Sequence, residues 1–295
     1  MFKTLLSLLF LTLSFVYAKP SVVVSILPQQ TFVQKIAQDK VTIHLMVTPG
    51  SSPHSYEPKP SQMVAISQAD LYFSTGVEFE KVWIERFRSQ NEALPFIDIS
   101  AGIQRIAMQN RHTHEEETHQ HHTDAHHHDH HDHVGLDPHT WTSPANVKIM
   151  AHNIYESLVD LDAKNEAFYK KNLETFLAEI ENTDQQIRDL LKPLSKEQRL
   201  FLVFHPSWGY FAKEYDLTQV AVEVDGKAPK PKDIMHVVHV AKEKNVQVIL
   251  AQPEFSDKSA KIIAKESNIK VEKISPLHPE WSTNLIKMAK AIARQ

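Results

Sequence analysis

From Ser21 onward, short apolar runs alternate with longer amphipathic ones. Val22 to Leu27 reads as a strand, a helical stretch follows through Phe32 and Ile36, and Val41 to Val47 reads as a second strand. A helix over Ser61 to Gln68, a strand at Leu71 to Ser74, a helix over Phe79 to Phe87 and a strand at Pro95 to Ile99 continue the βαβ grammar. The strands are rich in Val, Ile, Leu and Phe without strict alternation, the pattern of a mostly parallel sheet covered on both faces. After residue 198 the grammar restarts, with strands at Leu200 to Phe204, Gln219 to Val224, Val246 to Leu250 and Lys270 to Ile274.

Between these halves the period changes. Ser143 followed by Pro144 is an N-cap with proline at the first helical position, so a helix should run through Ile154 and Leu158. Asp162 can cap a second helix, in which Tyr169, Leu173, Phe176, Ile180, Ile187 and Leu190 recur at spacings of three, four and seven. About 28 residues at 1.5 Å each give roughly 42 Å, enough to run the height of a two-lobed molecule. The expected organisation is α/β: two pseudo-symmetric lobes over 19–143 and 198–295, joined by a helical connector over 144–192.

Ahead of this pattern, one charge at Lys3 leads into the apolar run Leu5 to Val16, and Val16-Tyr17-Ala18 offers small residues for cleavage. The run is too short for a bilayer and suits a signal peptide over 1–18, so export to the periplasm is expected. The 295-residue chain has no cysteine, which removes lipid attachment, disulfides and thiolate metal sites from that expectation. A net charge of −4 with no basic stripe argues against nucleic acid and anionic membrane surfaces as partners.

Histidine changes the picture most. Of 19 histidines, 11 fall between His112 and His133 among acids, Thr and Gln, with almost no apolar residue. Such a segment cannot bury a core and should be a disordered loop. Its imidazoles, including His121, His122, His126, His127 and His128, can chelate zinc, copper or nickel in interchangeable geometries as a secondary site. Three sparse histidines stand where a site would be built. His54 lies in a loop after the second strand, His139 immediately precedes the connector, and His205 follows the first strand of the second half. Ligands of open α/β sheets collect beyond the carboxyl ends of strands, so these three could converge in one cleft. His44, His152, His236 and His239 lie inside predicted elements and read as packing or surface residues.

Three segments carry a resemblance. Pro49-Gly50-Ser51-Ser52-Pro53-His54-Ser55-Tyr56-Glu57-Pro58, Asp137-Pro138-His139-Thr140-Trp141 and Phe204-His205-Pro206-Ser207-Trp208-Gly209 resemble, in order, the ligand motifs of the zinc- and manganese-binding solute-binding proteins of ABC transporters, the metal-binding lipoprotein and adhesin-like family. The resemblance covers essentially the whole chain after the leader. It implies two lobes joined by a long helix with limited lobe motion, a metal held between the lobes by His54, His139 and His205, and delivery to a membrane permease, with the protein acting as a monomer. Histidine at His205, where manganese-binding relatives carry a carboxylate, makes Zn2+ the expected cargo. Glu57 or Asp137 could orient a ring. Ser275 stands where the family supplies a fourth, aspartate ligand, so water, Glu254, His278 or a loop histidine is left to complete the site. Gln252-Pro253-Glu254 also inverts the family's order of Glu and Gln.

Two other functions compete with zinc uptake. Three histidines and an open position also describe a zinc hydrolase, against which stands the lack of a base motif such as His-Glu-x-x-His. A periplasmic metal buffer or adhesin would rely on the loop more than on the cleft.

Overall fold

The computed structural model describes residues 19–108, 135–223, 229–244, 246, 248–254 and 258–294. The expected signal peptide and the histidine-rich segment, His121, His122, His126, His127 and His128 included, fall outside them. No described helix is long and apolar enough to cross a membrane.

The first sheet holds β1 (Ser21–Val24), β2 (Thr42–Leu45), β3 (Leu71–Ser74) and β4 (Phe96–Asp98), all parallel, in the order β2-β1-β3-β4. Helices α1 (Leu27–Ala37), α2 (Pro60–Ser67) and α3 (Glu78–Gln90) make its crossovers. The second sheet repeats the plan. Strands β5 (Leu200–Val203), β6 (Thr218–Ala221), β7 (Val248–Ala251) and β8 (Lys270–Lys273) lie parallel in the order β6-β5-β7-β8.

Strand β1 is shorter than the apolar run predicts. Pro28 sets the first turn of α1, and the Gln29 side chain accepts from the backbone N–H of Ser25 and Ile26 at 2.9 and 3.1 Å. The helix therefore claims Leu27, and β1 ends at Val24, with the Ser25 carbonyl still accepting from Val47 N at 2.9 Å.

Helix α4 (Pro144–Leu161) starts as expected, with Ser143 Oγ accepting from Asn146 N at 3.2 Å. Asp162 does not cap the next helix. Its carboxylate accepts from Tyr169 Oη at 2.9 Å and Asn165 Nδ2 at 2.6 Å, and a 3-10 turn over Ala163–Asn165 separates α4 from α5 (Glu166–Leu191). Helix α5 has 26 residues, roughly 39 Å of length.

One apolar cluster runs from the first sheet through α4 and α5 to α9 (Trp281–Ala293) and the short helix α6 (Gly209–Glu214). A second lies between the other face of the second sheet and helices α7 (Pro231–Glu243) and α8 (Lys258–Ser267), around Leu202, Val237, Ile249 and Ile263. Polar ties join the first half to the connector and to the second half. Asn172 Nδ2 donates to Ile36 O at 3.0 Å, Thr31 Oγ1 to Pro279 O at 2.8 Å, and Glu179 receives both Lys35 and Ser282.

Candidate metal centre

Carboxyl ends of strands in both sheets feed one space. His54 comes from the irregular stretch after β2, Glu78 from the start of α3 just past β3, His205 from the turn after β5, and Glu254 from the turn after β7. His139 stands at the head of the 3-10 turn Thr140–Thr142 that leads into α4. These residues line one cavity together with Pro53, Val77, Trp141, Gln252, Pro276 and Leu277.

The three sparse histidines meet there. One candidate donor atom from each of His54, His139 and His205 lies within 4.8 Å of the other two, and no other cluster of this kind occurs among the described residues. His54 Nε2 and His205 Nε2 are 3.1 Å apart. Ring centroids stand 4.7 Å apart for His54 and His205, 5.3 Å for His139 and His205, and 6.5 Å for His54 and His139. A larger surface cleft between α1, α5 and the start of α9, lined by Gln30, Gln34, Asn172 and Glu179, lies away from this chemistry.

Every ring is held through its Nδ1 by a carboxylate. Asp137 Oδ1 is 2.7 Å from His139 Nδ1, Glu223 Oε1 is 2.6 Å from His205 Nδ1, and Glu78 Oε2 is 3.3 Å from His54 Nδ1. An acceptor at Nδ1 favours the tautomer whose Nε2 can ligate a metal, and raises its basicity. Asp137 was readable from sequence because it lies two residues from His139. Glu78 and Glu223 were not singled out, although both stand just beyond strand ends, the signal that located the histidines.

The rings differ in acidity. Burial pulls the pKa of His54 down, but the hydrogen bond and charge of Glu78 outweigh it and hold the imidazole above its ordinary value. Glu78, although burial opposes it, is driven down to about 2 by the same partner. At His205 burial wins over Glu223, aided by the neighbouring His139 and His54, and the pKa falls below the ordinary value. The His205 turn is also braced from β7, where Gln252 Oε1 accepts from His205 N at 3.1 Å and Gln252 Nε2 donates to Ser207 Oγ.

Two glycines make the geometry possible. Gly76 takes φ +89, and its N–H donates at 2.7 Å to Glu80 Oε2 in the turn that aims α3. A Cβ on Gly209 would stand 2.6 Å from Asp137 Oδ2, so only glycine lets that carboxylate lie against α6. The other expected auxiliaries stay away. Glu57 is exposed and does not line the cavity, and His278 is exposed with its Nδ1 accepting from Glu280 N at 3.0 Å. Ser275 is buried and donates through Oγ to Glu254 Oε1.

Residues 22–295 match the model of the family described as Zinc-uptake complex component A periplasmic. The chain belongs to this family. It is 31% identical over 264 residues to the high-affinity zinc uptake system protein ZnuA of Bacillus subtilis, covering 88% of this chain and 79% of that protein. It is also 25% identical to the manganese ABC transporter substrate-binding lipoprotein PsaA of Streptococcus pneumoniae, covering 81% and 73%. A solved structure of a 138-173 ZnuA deletion mutant with zinc bound matches with TM-score 0.81 and 37% identity over 94% of this chain and 97% of that one. The protein is therefore a metal-binding, substrate-binding component of an ABC transporter that works with a membrane permease, and not an enzyme. The hydrolase alternative falls with that assignment.

Proposed function

We propose that the protein captures Zn2+ in the periplasm through Nε2 of His54, His139 and His205 and delivers it to a membrane permease for zinc uptake. The observation that carries this reading is the convergence of three imidazoles, each with its Nδ1 on a carboxylate, within 4.8 Å. Nitrogen donors in a compact set suit zinc better than the harder manganese ion. The three carboxylates add negative potential for a dication without occupying the imidazole Nε2 positions. The zinc-uptake name of the 31% identical relative supports the same metal.

Proton competes with metal at each ring, so affinity should fall as pH drops through the histidine range. Calorimetric zinc titration of a protein lacking residues 112–133 tests the assignment. His54→Ala or His205→Ala should each lower affinity by orders of magnitude, and unchanged affinity would sink it. Rescue of growth in scarce zinc by that shortened protein would set transport apart from buffering.

A further inference from the structure

Three histidine nitrogens leave one position of a tetrahedral zinc ion to be filled. Within the same cavity, Glu254 holds one carboxylate oxygen on Ser275 while the other, Oε2, is buried without a hydrogen-bond partner. Of the described residues lining the cavity, Glu254 alone leaves a buried side-chain oxygen or nitrogen unmet. A buried carboxylate oxygen left without a donor is unfavourable, and a cation supplies what is missing. Ser275 is itself fixed: its Oγ accepts from Leu277 N at 3.0 Å and its carbonyl from Asn284 Nδ2 at 2.8 Å. The hydroxyl proton is thereby directed at Glu254 Oε1, and Oε2 is the carboxylate oxygen left to take a cation.

Resting on the three-histidine reading, we propose that Glu254 supplies the fourth zinc ligand through Oε2 and that Ser275 is its positioning residue. The carboxylate stands outside the 4.8 Å cluster of the three histidine donors. It swings in when zinc arrives, Oε1 staying on Ser275.

The full-length chain crystallised with one equivalent of zinc, with anomalous scattering at the zinc edge, should show Glu254 Oε2 at about 2.0–2.2 Å from the ion. Water in the fourth position with Glu254 beyond about 3 Å would overturn the inference. Chelator competition on the same full-length protein should show Glu254→Gln losing at least about tenfold in affinity. Ser275→Ala should lose several-fold, and nothing further when combined with Glu254→Ala. An equal loss from Ser275→Ala in both backgrounds would remove its positioning role. His205→Ala separates the two levels: if it abolishes tight binding while Glu254→Gln leaves it intact, only the fourth ligand is wrong. If His205→Ala is itself silent, the three-histidine reading fails first.

Discussion

Replacing Glu78 by Gln removes one charge from the most open of the three histidine pairs and keeps an oxygen that can still accept from His54 Nδ1. The pair is 3.3 Å apart, with side chains 32% and 34% exposed. The fall of Glu78 from 4.5 to about 2 corresponds at face value to about 3 kcal/mol. Water reaches a third of both side chains, so screening reduces the usable part to about 1 kcal/mol. Without that charge His54 is a weaker base, and the pH at which a proton displaces zinc from it should move down by roughly half to one unit.

The same substitution weakens the hold on Zn2+ itself, by about tenfold near pH 8, the lower end of what such partners contribute. The two effects oppose each other as pH falls. The deficit of the variant should therefore shrink from about tenfold at pH 8 to a few-fold at pH 5, because the native His54 is already protonated there. Competition against a chromogenic chelator from pH 5 to 8, in protein lacking residues 112–133, reads both curves. A constant deficit across the range would refute the argument, since it would mean that Glu78 acts on the fold and not on the basicity of His54.

Asp137→Asn and Glu223→Gln remove charges whose side chains are only 1% and 6% exposed, so each should cost about 10- to 100-fold in zinc affinity, more than Glu78→Gln, in the same titration. Gly209→Ala places a methyl 2.6 Å from Asp137 Oδ2 and 3.2 Å from Ile106 Cδ1. It should lower both zinc affinity and melting temperature, the latter through about 1–3 kcal/mol of overpacking. Glu80, buried where Ser25, Thr75 and Gly76 donate to it, has its pKa raised by burial from 4.5 to about 7. The folded state then keeps a proton that the unfolded chain releases, so this group's contribution to stability falls as pH rises from about 4.5 to 7. Urea denaturation at pH 5 and 8 should show wild type losing about 2.5 kcal/mol relative to Glu80→Gln, and parallel profiles would refute the shift.

The parallel sheets were legible because strands covered on both faces must be apolar almost throughout, as Val22, Val23 and Val24 are. Their ends were not, because the N-terminal turn of α1 competes for Ser25 to Leu27 through Gln29, and no hydropathy pattern records that contest. His139 and Asp137 could be paired from sequence since two residues separate them. Glu78 lies 24 positions from His54, and Glu223 lies 18 from His205. Only the shared address at strand ends connects them, and that address is also held by residues such as Asp98 that do not line the cavity. The inverted Gln252 and Glu254 were visible as a departure from the family pattern. Their division of labour, one bracing the His205 turn and the other holding an unmet oxygen at the cavity, needed the fold.

The three histidines are unequal in a way that bears on how a metal would enter and leave. His139 and His205 have side chains 8% and 5% exposed, against 32% for His54. His139 adjoins Trp141, whose Nε1 donates to Pro276 O at 2.8 Å and whose carbonyl accepts from Trp281 Nε1 at 2.7 Å. His205 is held by Glu223 and Gln252. His54 rides an irregular stretch between β2 and α2, on the most open carboxylate pair. The bond from Thr31 to Pro279, and those of Lys35 and Ser282 to Glu179 of α5, would have to break for the lobes to part. On the zinc reading, the first ligand to let go is therefore His54, which is also the ring that protons reach first, and the route in and out of the cavity runs past it.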